Sequence, residues 1–226
     1  MNRFTLAVCL SLLLAATSLA QSIGVSFAGD NTGGTAVQIT SAQTAGIFPQ
    51  SNWNAATGGE GTVSGLVDST GSATGASVTW SSPNVWGGTG ATSDEEALVN
   101  GWLDDGGGTG NSVQISGIPF SDYDVYVYGS SDGGNEGRGL TVNVNGTSHF
   151  SGGEFTTLSA NGSFFNGHVN SASTNADPTY TMVTDVAGAT LSIIGARDQA
   201  GPALPGGSTD YRAAVSGVQV LSLIHI

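Results

Sequence analysis

Two glycine-rich stretches of this chain gather hard oxygen donors at short spacing, Asp104-Asp105-Gly106-Gly107-Gly108-Thr109-Gly110-Asn111 and Asp132-Gly133-Gly134-Asn135-Glu136. Calcium takes roughly six to eight oxygen ligands, and glycine lets a loop wrap closely around an ion. Asp104, Asp105, Asp132 and Glu136 are therefore candidate ligands of a structural calcium ion. Neither stretch has EF-hand spacing, and loop carboxylates are commonly just solvated, so both readings stand. A second chemistry rests on aromatic rings. A flat apolar ring packs against the C–H face of a pyranose while amides, carboxylates or arginine bond the hydroxyls. Trp86, read as a loop residue in Asn84-Val85-Trp86-Gly87-Gly88, is the best such ring, whereas Trp53 and Trp80 sit in strand-like patterns and read as core. Tyr126 and Tyr128 share the face opposite Val125 and Val127, either against a second layer or exposed as a platform. Asp132, Asn135 and Arg138 are the polar groups placed to complete a ligand site, with Arg138 and Arg212 alternatively pairing with local carboxylates.

Catalytic constellations are sparse. The single cysteine, Cys9, lies in an apolar N-terminal run, which excludes a thiol nucleophile or a zinc–thiolate site from the rest of the chain. His149 and His168 stand in strand-like surroundings, and no G-x-S-x-G elbow is present. Carboxylates abound, as at Asp94, Glu95 and Glu96, but glycoside hydrolysis needs two of them flanking a cleft, and the sequence singles out no such pair. The glycine-rich loops lack the lysine and following helix of a phosphate cradle. No catalytic residue is assigned, and a carboxylate-based glycan hydrolase stays as an alternative.

The elements that would position these groups are strands. Tyr123, Val125 and Val127 alternate with Asp124, Tyr126 and Tyr128, and Leu140, Val142 and Val144 alternate with Thr141, Asn143 and Asn145. That period of two marks strands with one buried face, here joined by the Ser130–Arg138 loop as antiparallel β. Asn145-Gly146 then signals a hairpin, because a type I′ turn needs positive φ at both central residues. Further strands are predicted at Ser22–Phe27, Ala45–Asn54, Gly65–Asp68, Ala76–Trp80, Asn111–Ile118, Gly153–Leu158, Ser163–Val169, Thr179–Asp185, Thr190–Ala196 and Ala213–Val220. Ser93-Asp94-Glu95-Glu96 has capping-box spacing, which predicts one short helix near residues 93–103. Many short strands without helical partners predict an all-β fold, an antiparallel β-sandwich of jelly-roll or galactose-binding-like type, built as a single domain over residues 21–220.

The two ends read differently. Arg3, the apolar Phe4–Leu14 and the small residues Ser18-Leu19-Ala20 have the layout of a signal peptide over residues 1–20, cleaved before Gln21. The last six residues, Leu221–Ile226 (LSLIHI), resemble a translated sequencing-adapter end, which predicts a chain truncated at its C-terminus. With 17 acidic residues, no lysine and a net charge of −13, the chain repels phosphate backbones and anionic headgroups. The expectation is bacterial export to the extracellular space or cell surface, with no nucleic-acid partner and no membrane insertion of the mature domain. Asn145-Gly146-Thr147 and Asn161-Gly162-Ser163 read as turns in preference to glycosylation sites.

Four segments carry a family resemblance: SIGVSF at Ser22–Phe27, AGIFPQSNWN at Ala45–Asn54, GIPFSDYDVYVY at Gly117–Tyr128 and AAVSGVQV at Ala213–Val220. Together they resemble an uncharacterised family of secreted β-sandwich domains of planctomycete and verrucomicrobial type. More distantly, YDVYVY, GLTVNVNGT and AVSGVQV are similar to malectin-like and galactose-binding-like sandwiches. The resemblance implies a secreted or surface-displayed domain, often followed by a PEP-CTERM sorting tail, with no agreed catalytic residues. The resulting expectation is non-catalytic binding of a polysaccharide or another extracellular-matrix glycan. The alternative of another class is a purely structural extracellular domain, stabilised by calcium or by its core alone.

Overall fold

The computed structural model describes residues 21–31, 34–35, 38–87, 91, 93–105, 110–129, 139–152, 180–195, 211–212 and 214–223. The first described strands are β1 (Ser22–Ala28), the short pieces β2 (Asp30–Asn31) and β3 (Gly34–Thr35), then β4 (Asn54–Thr57), β5 (Glu60–Ser64), β6 (Ser77–Ser81) and β7 (Asn84–Gly87). The one helix among the described residues, α1 (Asp94–Val99), leads into β8 (Gly101–Asp104), β9 (Asn111–Ser116), β10 (Asp122–Tyr128), β11 (Gly139–Val144) and β12 (Thr147–Gly152). The remaining elements are β13 (Tyr180–Ala187), β14 (Thr190–Gly195), β15 (Tyr211–Arg212), β16 (Ala214–Val215) and β17 (Gly217–Ser222). The predicted strands over 153–158 and 163–169 lie outside the described residues.

Two sheets face each other in an all-β sandwich. One has the order β13-β10-β17-β1-β4, and the other runs β12-β11-β14-β9-β6-β5 with β15 beside β11. Their inward side chains form one core. Ile23, Val25, Val125, Val127, Val218 and Val220 come from the first sheet, and Val78, Val113, Ile115, Val144, Leu191 and Ile193 from the second. This is the period-two pattern made physical, since every second residue of each strand points into the space between the sheets. Pairing is mostly antiparallel, but β1 runs parallel to β4, with Val25 opposite Asn54. A smaller sheet, β16-β8-β7, lies beside these two.

The structure redraws several sequence expectations. β10 and β11 are not partners: β10 lies between β13 and β17 in one sheet, and β11 lies between β12 and β14 in the other. Alternation identifies a half-buried strand but carries no information about its neighbour. The hairpin after β11 is as predicted, with φ of 47° at Asn145 and 91° at Gly146. The helix is shorter than the predicted span. Ser93 caps it by accepting from the Glu96 N–H at 3.1 Å, yet it stops at Val99 because Gly101–Asp104 pairs with β7 and β16. A side chain at Gly101 would meet Ala28 Cα at 2.9 Å, so this crossing over β1 requires glycine. Ala45–Asn54 is not a strand. It is a turn closed by Ala45 and Gln50, and only Asn54 enters β4. Strand structure also falls at β5, one step before the predicted Gly65–Asp68, where Asp68 instead receives the Thr70 and Ser72 N–H groups. Leu221 and Ser222, which open the adapter-like hexapeptide, continue β17 and pair with Ser22 and Tyr123.

The core assignments make a paired test. Ile115→Ala removes a fully buried side chain and is expected to destabilise by about 2–5 kcal/mol in denaturant unfolding. Ile194→Ala, on the same sheet but 46% exposed, is expected to stay within about 0.5 kcal/mol of wild type.

Candidate functional site

Tyr126 and Tyr128 do not form an exposed platform. They are 4% and 0% exposed, because the outer face of their sheet is covered by residues 38–53 and by Ala97, Leu98 and Val99 of α1. Burial, with the Asp124 charge adding to it, pushes the Tyr126 hydroxyl up to about 12. Burial raises Tyr128 further still. Trp86 is 39% exposed and lies in β7 directly opposite the buried Trp102, so it belongs to a strand and not to a loop. Trp53 and Trp80 are core residues as expected, Trp80 from strand β6 but Trp53 from the segment just before β4 and not from a strand. Asp132, Asn135, Glu136 and Arg138 lie outside the described residues. Of the remaining calcium candidates, Asp104 accepts from the Asn84 amide at 2.9 Å, and Asp105 is fully buried. Among the described residues no three His, Cys, Asp or Glu side chains converge as a metal site.

A connected polar network lies between the covering turn and the sheet. The Tyr128 hydroxyl donates to Gln219 Oε1 at 2.8 Å and accepts from the Ile47 N–H at 2.9 Å. Gln219 Nε2 donates to the Phe48 carbonyl at 2.7 Å and to Gln50 Oε1 at 2.8 Å. The indole N–H of Trp53 donates to the Gln50 carbonyl at 3.0 Å. Gln219 and Tyr128 are 0% exposed and Trp53 is buried, so the bonds satisfy side-chain polar groups withdrawn from water. Glycine makes the close approach feasible at two points. A Cβ on Gly24 would lie 2.5 Å from Gln50 Nε2, and Gly46 holds φ +104° against Gln219 and Trp53.

The turn held in this way presents Phe48 to solvent. Its ring is 43% exposed and meets Tyr126 edge-on, with centroids 5.6 Å apart and planes at 62°. Phe48, Pro49 and Leu221 wall an open groove of about 400 Å³, and Ser22, Thr44, Ser51, Ser69 and Thr70 supply hydroxyls around it. The rim is anchored from both sides. Asp94 of α1 accepts from the Thr44 N–H at 2.9 Å and from the Gln43 amide at 2.8 Å, and these bonds hold its carboxyl below the usual value of 3.8. Asp68 is 3% exposed and receives Thr70 and Ser72 on the opposite side. A strand over Ala45–Asn54 would not single out Phe48, whereas the turn that the segment forms exposes it. The signal available was Gly46 and Pro49 bracketing Phe48, which mark a turn that exposes its central residues.

An all-β sandwich with an uncharged, partly aromatic groove on its covered face is the class of protein this geometry defines. No family model matches the chain, and no curated protein or solved structure matches it either.

Two tests follow from the geometry. Gln219→Leu removes the Tyr128 acceptor and the donor to Phe48 and Gln50, and is expected to destabilise by about 1–3 kcal/mol in denaturant unfolding. Because the Asp94 carboxyl is held low, its grip on Thr44 is complete above the ordinary carboxylate range and is lost as pH falls through the lowered value. The Thr44 amide resonance is therefore expected to titrate with a midpoint below 3.8, and Asp94→Asn to abolish that titration. A midpoint at or above 3.8 contradicts the assignment.

Proposed function

We propose that this protein is an exported, non-catalytic β-sandwich that binds carbohydrate of the extracellular matrix through the groove beside Phe48. The observation that supports the reading is a single one: an exposed aromatic ring, held rigid by Tyr126 and by a buried hydrogen-bonded turn, standing over a groove edged with hydroxyls. Sugar recognition combines a fixed apolar ring with a few placed polar groups, and rigidity limits the entropy lost on binding. The signal-peptide layout of residues 1–20 supports export. Among the described residues, none of those lining the groove is a carboxylate, so the hydrolase alternative draws no support from it. Among the described residues, no helix is long and apolar enough to cross a membrane.

A purely structural extracellular role is the second reading. It is favoured by the burial of the quoted motif residues Gln50, Trp53, Tyr128 and Gln219 in the network instead of at the surface. A polysaccharide array probed with the chain lacking residues 1–20 separates the two. Binding is expected on at least one matrix glycan, with Phe48→Ala weakening it about two- to tenfold. Trp86→Ala, which alters another exposed aromatic outside the groove, is expected to leave it unchanged. An array without signal overturns glycan binding in favour of the structural reading.

A further inference from the structure

We infer that the Phe48 groove selects an uncharged saccharide and that Thr70 acts as the acceptor of a hydroxyl proton from that ligand, an inference that rests on the glycan-binding reading. The residues lining the groove carry no formal charge. The two carboxylates beside the groove, Asp68 in its loop and Asp94 at the start of α1, are engaged by neighbouring donors. Asp68 accepts from the Thr70 N–H at 2.8 Å, the Thr70 hydroxyl at 2.6 Å, the Ser72 N–H at 3.0 Å and the Gln21 amide at 3.3 Å. Asp94 is committed to Gln43 and Thr44. An approaching uronate or sulfate ester thus meets no cationic partner in the groove and the field of a chain with net charge −13. A neutral sugar pays neither penalty.

The direction of the hydrogen bond at Thr70 sharpens the selection. A threonine hydroxyl has one proton and two acceptor lone pairs. The short bond to the Asp68 carboxylate is charge-assisted and takes that proton in preference to Ser72 Oγ at 3.0 Å. Thr70 is solvent-exposed at the groove, so what it offers a ligand is a lone pair. Sugar hydroxyls can donate to it. Carboxylates, sulfates and ring ethers, which only accept, gain nothing there.

The test is calorimetric titration of the chain without residues 1–20, using neutral and uronate-containing oligosaccharides of equal length at low and high salt. Wild type, Thr70→Val, Thr70→Ser and Phe48→Ala are compared, with thermal melting of each to register any loss of fold. Neutral oligosaccharides are expected to bind more tightly than uronates, with a Kd insensitive to salt. Thr70→Val is expected to weaken binding about three- to tenfold, and Thr70→Ser, which keeps the hydroxyl, to restore it. Tighter uronate binding, or affinity that falls with salt, overturns the neutral-ligand inference. Neutral binding that is lost in Phe48→Ala but unmoved by Thr70→Val overturns the Thr70 role. Absence of binding by wild type to either kind of sugar overturns the groove reading itself.

Discussion

The buried amide of Gln219 is the constraint on which the outer half of this molecule depends. A sheet whose outer face carries Tyr126, Tyr128 and Leu221 as well as its apolar inner face cannot leave that face in water, so it must be roofed. The roof is a turn of irregular backbone, and irregular backbone has carbonyl and N–H groups that no ladder satisfies. Tyr128 and Gln219 satisfy them from below at the Ile47 N–H and the Phe48 carbonyl, while Gln219 also holds the Gln50 side chain. The same side chains that close the core therefore fix the height and tilt of the ring exposed above it.

The four segments quoted for the family resemblance acquire a common location. Gly24 belongs to the first, Gln50 and Trp53 to the second, Tyr128 to the third and Gln219 to the fourth, and all five residues meet in one buried cluster. Gly24 lacks a side chain where Gln50 and Trp53 must sit. Positions separated along nearly the whole described chain are thus tied by packing geometry, and their pattern reports how the sandwich is roofed. The groove hydroxyls of Ser69 and Thr70, by contrast, fall outside all four segments.

Much of the fold was legible because local physics dictated it. The alternation in β10 and β14, the Asn145-Gly146 turn and the Ser93 cap are all decided within a few residues. What escaped was decided at a distance. Nothing in YDVYVY announces that its next neighbour in space is β17 and not β11. β7 and β8 are not legible locally because β7 ends and β8 begins in a glycine that also reads as loop, and pairing between Trp86 and Trp102 holds them extended. The candidate site was legible only in kind. An aromatic ring beside hydroxyls was anticipated at Trp86 and the tyrosines, but burial of Tyr126 and Tyr128 by the roof moved the exposed ring of the groove to Phe48.

The central position of β17 has a consequence for how the molecule comes into being. It lies between β10 and β1, so the strand that joins the two halves of the first sheet is the last described element to be synthesised. Until it arrives, β1 lacks its antiparallel partner and Gln219 is not there to receive the turn. Loop closure over such a separation is slow, and local hairpins alone leave the apolar faces open to water. The first sheet consequently cannot close around its centre until β17 has been made, however early β1 and β10 form their local structure.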